Sequence, residues 1–135
     1  MTDICYKSYA DAHDHLGIGG SPDKMIISGA NGVECVKITD DYESYHWISP
    51  NKAIIRYVGI GPLKSPGHPS ANQQYDRQQP FVDSWAKRTP VCVLFKERCG
   101  NVFCMGTYYV RNMRKCLGNE GLTYFRFELL RAVIN

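Results

Sequence analysis

The residue types best suited to chemistry form two acidic clusters in the first third of the chain. The run Asp11–His15 supplies carboxylates and imidazoles that could bind a divalent ion, as a metal-dependent nuclease would require. The same run is typical of the polar face of a terminal helix, which is the interpretation that we favour. Asp40 and Asp41 are adjacent, so on a strand they would point to opposite faces and would not form an acid–base pair.

The motifs of the common enzyme classes are absent from the sequence. It contains no nucleophile elbow, no phosphate-binding glycine loop followed by Lys-Ser/Thr, and no H-E-x-x-H. The six cysteines include no C-x-x-C pair, which favours reduced structural thiols over a zinc site. We therefore expect a chain that is not an enzyme and has no catalytic residues, no metal and no cofactor.

The charge is distributed unevenly along the chain. Residues 1–50 contain eight acidic side chains against three lysines, whereas residues 51–135 contain thirteen Lys or Arg against five acids, although the formal net charge is only +3. A basic second part indicates either a surface that faces a polyanion or ordinary solvated strand faces. Charge alone does not separate these two interpretations.

Hydrophobic periodicity predicts the elements that must position these residues. One helix is predicted over Ile4–Leu16, ending at Gly17, and a second over Pro80–Arg88 with Phe81, Val82 and Trp85 on its core face. Strands are predicted over Met25–Ser28, Val33–Thr39, Ala53–Gly59, Val91–Glu97, Val102–Arg111 and Leu122–Val133. Residues 60–78 form a long loop rich in Gly, Pro, Ser, Asn and Gln, a length that is usually functional.

This pattern predicts an α+β fold with a curved, barrel-like, mostly antiparallel β-sheet and two or three short helices. We expect a single domain over residues 1–135, in which 1–31 are an N-terminal helix and lead-in and 32–135 are the barrel. No apolar run approaches the roughly 20 residues of a membrane span, and residues 1–10 lack the apolar core of a signal peptide. The expected location is intracellular, nuclear in a eukaryote and cytoplasmic in a bacterium.

Several short motifs follow one another in a fixed order. Y-V-G-I-G begins at Tyr57 and leads through the Gln- and Asn-rich loop into the second helix. P-V-C-V-L-F from Pro90, M-G-T-Y-Y-V from Met105 and Y-F-R-F-E-L from Tyr124 come next. Over roughly residues 32–133 this order resembles SRA (SET- and RING-associated) domains and the related modules of McrA-like endonucleases.

The resemblance implies a crescent-shaped β-barrel that binds modified DNA without catalysis. SRA domains flip a 5-methylcytosine out of the duplex and hold it between two aromatic rings, and some McrA-associated relatives read phosphorothioate backbones. The resemblance therefore implies modified duplex DNA as partner, and fusion to, or recruitment of, a nuclease or a chromatin-modifying module. A phosphorothioate-DNA reader and an RNA-binding module of the PUA/EVE type, which has a similar barrel, are the alternatives.

Residue by residue, the resemblance places the base pocket around the strand that ends at Tyr57. Tyr57 matches one aromatic wall, Tyr42 or Tyr45 the other, and Val58 stands where cytosine readers often have Thr. The acid that contacts the base edge is missing at its family position, which leaves Asp40 or Asp41 as substitutes. His46 and Trp47 could enlarge the pocket or change what it accepts.

The nucleic-acid backbone would be contacted by the loop and the second helix. The residues expected there are Arg56, Lys64, His68, Asn72, Gln73, Gln74, Arg77, Gln78, Gln79, Lys87 and Arg88. Lys96, Arg98, Arg111, Arg114 and Lys115 could extend this surface or solvate the opposite edge. A different class of function remains open as well, in which the acidic and aromatic residues 40–47 bind a peptide of a protein partner.

Overall fold

The computed structural model describes residues 4–40, 46–61, 63–65 and 68–132. It has two α-helices, α1 (Tyr9–Leu16) and α2 (Gln79–Lys87), with 3-10 turns at Asp76–Gln78 and Asn119–Gly121. Its strands are β1 (Cys5–Tyr6), β2 (Ile26–Gly29), β3 (Gly32–Thr39), β4 (Trp47–Ile48), β5 (Ile54–Val58), β6 (Leu63–Ser65), β7 (His68–Pro69), β8 (Val91–Lys96), β9 (Val102–Leu117) and β10 (Thr123–Arg131). Within these ranges, neither helix has the length and apolar character that crossing a bilayer would require.

The strands form one curved sheet in the order β2-β3-β8-β9-β10-β5-β4, with β1 pairing on β9 and a separate β6–β7 hairpin. All neighbours are antiparallel except β3 and β8, where Cys35 pairs with Cys92 in a parallel register. The predicted α+β class with a mostly antiparallel sheet is thus confirmed. The sheet does not close into a barrel, because β2 and β4 remain its two edges among the described residues.

Helix α1 is shorter than the sequence predicts. It begins at Tyr9, where the Ser8 hydroxyl accepts a hydrogen bond from the Asp11 N–H at 3.2 Å, and it ends at Gly17, whose φ of 68° suits glycine. The preceding residues Cys5–Tyr6 are a strand paired with β9, not helix. Extending the helical pattern back to Ile4 was therefore wrong, because the capping serine starts the helix later.

Helix α2 packs on β3 through a serine that the hydrophobic pattern does not reveal. The Ser84 hydroxyl accepts from the Val33 N–H at 2.7 Å and lies within hydrogen-bond distance of the Val33 and Pro80 carbonyls. Phe81 is fully buried and stacks on Phe127 of β10 with ring centroids 4.4 Å apart. Trp85 is 44% exposed, so its predicted place on the core face was wrong.

Two apolar clusters fill the opposite faces of the sheet. The larger lies under α2 and includes Val36, Tyr57, Phe81 and Phe127; the smaller lies under α1 and includes Cys35. Strand β3 contributes to both, because adjacent strand residues point to opposite faces and both faces are covered. Tyr57 therefore reaches the candidate site from the α2 side of the sheet.

Candidate nucleic-acid interface

Tyr57 is fixed in the core near the end of β5. It is 1% exposed, its hydroxyl donates a hydrogen bond to the Lys37 carbonyl at 2.9 Å, and its ring lies 5.9 Å from that of Phe81 at a 40° tilt. Burial raises the pKa of the phenol, so the group is a neutral donor. The ring has a fixed orientation that does not depend on any ligand.

One face of the Tyr57 ring is covered by His46. The two rings are stacked with centroids 3.7 Å apart and planes within 5° of parallel. His46 Nδ1 accepts a hydrogen bond from the Val58 N–H at 3.0 Å, so the neutral ring has its proton on Nε2. Burial lowers the pKa of His46 from 6.5 to about 3, which keeps the imidazole uncharged at neutral pH.

Two buried glutamines position the loop that leaves this strand. Gln78 accepts from the Ile60 N–H at 2.8 Å and donates to the Ile60 carbonyl at 2.7 Å. Gln73 donates to the Gly59 carbonyl at 3.0 Å and accepts from the Phe125 N–H at 2.9 Å. A Cβ at Gly59 would lie 2.5 Å from the Gln78 oxygen, so this close approach requires glycine.

The bonding of these two amides changes their assigned role. The sequence placed Gln73 and Gln78 among the direct contacts with nucleic acid, but both side chains are buried and bond to backbone groups of their own chain. A buried amide that already bonds to the backbone is not a surface contact. We therefore correct the expectation: Gln73 and Gln78 hold the loop in place.

Trp47 and Arg56 form an exposed pair on the neighbouring strands β4 and β5. The Arg56 guanidinium lies 4.7 Å from the centre of the Trp47 ring, which is 46% exposed, and the two residues face each other in the strand register. Such a pair combines a positive charge with an aromatic surface. Val58 is buried and its backbone N–H is already donated to His46, and Asp40 is exposed at the end of β3.

Most of the other predicted backbone contacts are exposed around the loop and α2. Asn72 accepts from the Thr123 N–H at 2.8 Å, Gln79 donates to Asp83 at 2.7 Å, and Lys87 reaches the Ala30 carbonyl at 3.5 Å. Gln74, Arg77 and Arg88 are also exposed, and Arg88 ends α2 with a φ of 53°. These groups lie on the outside of the loop and helix that Gln73 and Gln78 hold.

Some predicted residues fall outside the described parts of the chain. Asp41, Tyr42 and Tyr45 belong to the 41–45 segment, so the second aromatic wall and one substitute acid stay predictions. For Lys64 and His68 the structure gives only their places in the β6–β7 hairpin.

A basic cleft on the outer surface of β5, β9 and β10 was only partly anticipated. It has a volume of about 570 Å³, and its lining includes four cations, Arg56, Arg114, Lys115 and Arg126, and one acid, Glu128. Arg114 and Arg126 face each other across the two strands, an arrangement that a bound anion would relieve. Arg126 was missed because it lies in an aromatic-rich run, where its alternation with Phe125 and Phe127 is the only signal.

The Asp11–His15 run lies in helix α1, where Asp11, Asp14 and His15 are exposed, as the polar-face interpretation expects, but Ala12 and His13 are buried. Among the described residues, no three His, Cys, Asp or Glu side chains come close enough together to hold a metal ion. The His13 side chain is buried and does not face solvent, and this burial is the main reason that its pKa is lowered.

Comparison with known proteins places this geometry in a fold family. No protein-family model and no curated protein matches the chain. The SUVH5 SRA domain in a complex with hemi-methylated CG DNA matches with a TM-score of 0.75 and 21% identity, over 96% of this chain and 86% of that one. The chain has the SRA fold. The resemblance noted from the motif order is confirmed at the level of the fold.

Other solved structures agree with this SRA fold. SUVH5 SRA bound to fully hydroxymethylated CG DNA matches with a TM-score of 0.79 and 19% identity, over 99% of this chain and 90% of that one. KRYPTONITE in complex with mCHG DNA and SAH matches with a TM-score of 0.77 and 16% identity, over 98% of this chain but 32% of that one. The SRA fold of this chain thus corresponds to about a third of that larger protein.

Proposed function

We propose that this chain is a non-catalytic reader of modified duplex DNA that stacks a flipped base on Tyr57. Two kinds of support converge on this function. The matched SUVH5 SRA structures are complexes with hemi-methylated and hydroxymethylated CG DNA. The observation that carries the proposal is the end of β5 at Tyr57 and Val58. There a planar ring, the imidazole of His46, stacks on the Tyr57 ring and accepts a hydrogen bond from the Val58 N–H at its edge.

A flipped base needs the contacts that this strand end supplies. It requires an aromatic face to stack on and hydrogen bonds to its edge, because extrusion costs the stacking and pairing energy of the duplex. The hydrogen bond to the Lys37 carbonyl fixes the orientation of Tyr57 in advance, so the Tyr57 ring itself needs no reordering on binding. Tyr42 or Tyr45 would supply the second wall, and Asp40 or Asp41 a base-edge acceptor.

The exposed cations supply the part of the affinity that does not depend on modification. Four exposed cations lie in β5, in the 3-10 turn before α2 and at the end of α2: Arg56, Arg77, Lys87 and Arg88. Their contacts with phosphates would make binding depend steeply on salt. Asn72, Gln74 and Gln79 add exposed polar groups on the same loop and helix. In this proposal the exposed cations and polar groups provide affinity for any duplex, and Tyr57 and Val58 provide selectivity for the modified base.

The test is a binding panel at fixed ionic strength. Fluorescence anisotropy would compare labelled duplexes that are identical apart from unmodified cytosine, 5-methylcytosine, 5-hydroxymethylcytosine or a phosphorothioate link, with matched RNA as competitor. We expect tighter binding to a duplex with a modified base. Equal affinity for all DNA probes would refute the proposal, and preference for RNA would support the PUA/EVE alternative instead.

The proposed function also fixes where the protein would act and with what. A reader of duplex DNA works in the compartment that holds the DNA, the nucleus of a eukaryote or the cytoplasm of a bacterium. Because a reader does not itself change the DNA, it would act with a nuclease or a chromatin-modifying module, either fused or recruited.

A further inference from the structure

The aromatic face that a flipped base would use is already occupied by the protein's own side chain. The His46 imidazole stacks on Tyr57 at 3.7 Å between ring centroids and accepts the Val58 N–H at 3.0 Å. These are the two kinds of contact, a stack and an edge hydrogen bond, that recognition of a flipped base requires. His46 thus makes with its own chain the contacts that a base would make.

A base and His46 cannot occupy this position together. Rings in contact lie about 3.5–4 Å apart, so a third ring would need a gap of about 7 Å between His46 and Tyr57. Tyr57 cannot move away to create it, because its hydroxyl is bonded to Lys37 and its ring packs near Phe81. His46 is therefore the group that must move.

The position of His46 in the chain makes that movement feasible. It directly precedes β4, an edge strand of two residues that, in the described part of the chain, pairs with β5 through Trp47 and Ile48 and is followed by one more bond, from the Ser49 N–H to the Ile54 carbonyl. A short edge strand has few hydrogen bonds to lose, so local opening costs much less there than in the centre of a sheet. Tyr57, by contrast, belongs to β5, which pairs with β10 over five residues.

We use the name base slot for the position against the Tyr57 ring and the Val58 N–H. We propose that the His46 imidazole occupies the base slot in the free protein and that a modified base binds by displacing it. This inference rests on the proposed function and names the residue that sets its affinity. The displacing ligand is a planar heteroaromatic ring with a hydrogen-bond acceptor at the edge facing the Val58 N–H, a requirement that the O2 or N3 of a pyrimidine meets. Because its imidazole must be displaced first, His46 lowers the affinity of the protein for any base.

The first experiment compares His46→Ala with a matched control. His15→Ala is suitable because His15 also contacts a tyrosine ring and hydrogen bonds to it, but on α1 with Tyr6. We expect His46→Ala to bind a 5-methylcytosine duplex about tenfold more tightly than the wild type, the factor that loss of one competing hydrogen bond of ordinary strength gives. His15→Ala should bind like the wild type, and equal affinity of His46→Ala and wild type would overturn the proposal.

Imidazole itself tests the slot without DNA. Added imidazole should raise the thermal midpoint of His46→Ala in a saturable way and leave wild type and His15→Ala unchanged, since only the empty slot can bind it. No response of folded His46→Ala would overturn the proposal. This result is independent of the proposed function: if no duplex in the panel shows a preference, the reader function fails, whereas the imidazole response still decides whether the slot exists.

A measurement on the wild type removes any dependence on whether the variant folds. In the free protein, the His46 ring protons should be shifted upfield by Tyr57 in the NMR spectrum and should not titrate between pH 5 and 8. On saturation with a 5-methylcytosine duplex, they should move to solvent-like positions and titrate as an ordinary histidine does. Ring protons that stay shifted and silent in the bound complex would overturn the displacement.

Discussion

The side-chain amide of Gln78 holds the backbone of Ile60 at two points. Its Oε1 accepts the Ile60 N–H at 2.8 Å, and its Nε2 donates to the Ile60 carbonyl at 2.7 Å and to the Gln74 carbonyl at 3.1 Å. Gln78 is fully buried, so these bonds replace its contacts with water. They fix the start of the loop three residues after Tyr57.

Replacing Gln78 with Leu should lower the free energy of unfolding by about 2–3 kcal/mol. The substitution replaces the amide with an apolar side chain of similar size and leaves the N–H and C=O of Ile60 without the partners that Gln78 supplied. Gln79→Leu is the matched control: Gln79 is exposed and bonds only to Asp83 within the hydrogen bonds described, so we expect a change within about 0.5 kcal/mol. Urea unfolding of the two variants side by side measures the difference. Equal losses of unfolding free energy would contradict the role of Gln78 in holding Ile60.

Replacing Tyr57 with Phe should separate folding from reading. The variant loses the hydrogen bond to the Lys37 carbonyl, at a cost of about 1–2 kcal/mol in unfolding free energy, but keeps the aromatic face. Its preference for the modified duplex should therefore equal that of the wild type. Tyr57→Ala is a poor test because removing so large a buried ring costs about 3–5 kcal/mol and changes the fold itself.

The control for this comparison is Tyr75→Phe, since Tyr75 is exposed. It should change neither stability nor duplex preference. Loss of modification preference in folded Tyr57→Phe would show that the hydroxyl, and not the ring face, discriminates between bases. Anisotropy titrations with the modified and unmodified duplexes measure this directly.

Acid should destabilise the wild type through His46. Its pKa lies near 6.5 in the unfolded chain and at about 3 in the folded protein, so the unfolded state binds more protons between these values. The free energy of unfolding should fall as pH falls through this window, by at most about 1.4 kcal/mol per pH unit, and His46 should contribute no pH dependence above it.

His46→Gln isolates that contribution, because glutamine does not titrate and its carbonyl can still accept the Val58 N–H. Between pH 7.5 and 5.5 the wild type should lose more stability in urea unfolding than this variant does. The buried His13 also has a lowered pKa, so some pH dependence should remain in His46→Gln. Identical pH profiles for the two proteins would show that His46 is not held as an uncharged ring.

Removing one phosphate contact should weaken binding equally for all duplexes. Arg77→Gln should reduce the slope of log affinity against log salt by about 0.9 while leaving the ratio between modified and unmodified duplexes unchanged. Lys7→Gln removes one exposed charge two residues before the start of α1 and should keep the wild-type slope. An altered preference in Arg77→Gln would place Arg77 at the base rather than at the backbone.

Much of the fold could be predicted because its signals are local. Alternation in Val33–Thr39 and Val91–Glu97, the proline at the start of α2 and the glycine after α1 each act within a few residues. Where prediction failed, a partner distant in sequence decided. Trp85 is half exposed because Ser84, bonded to Val33, takes the position on β3, and Cys5–Tyr6 is a strand because β9 offers an edge to pair with.

The site shows the same division more sharply. The motif at the end of their strand names Tyr57 and Val58 as candidates, and their role in binding a base stays a prediction. Gln73 and Gln78 looked like surface groups, because an amide in a polar loop gives no sign of whether the backbone or a ligand will be its partner. His46 stacks on Tyr57 although the two residues are eleven positions apart across a turn. Neither helix nor strand periodicity predicts a contact at that separation.

The sequence by itself determined the curved α+β sheet, the order of its strands' motifs, the uneven charge and the aromatic residue near the end of β5. Those features follow from side-chain chemistry and short-range periodicity, which do not depend on tertiary contacts. Only the tertiary structure decided which polar groups are used internally and which face outward. Hydrogen bonds and ring stacks need partners within about 4 Å, and only the folded sheet brings His46 against Tyr57 and Gln78 against Ile60.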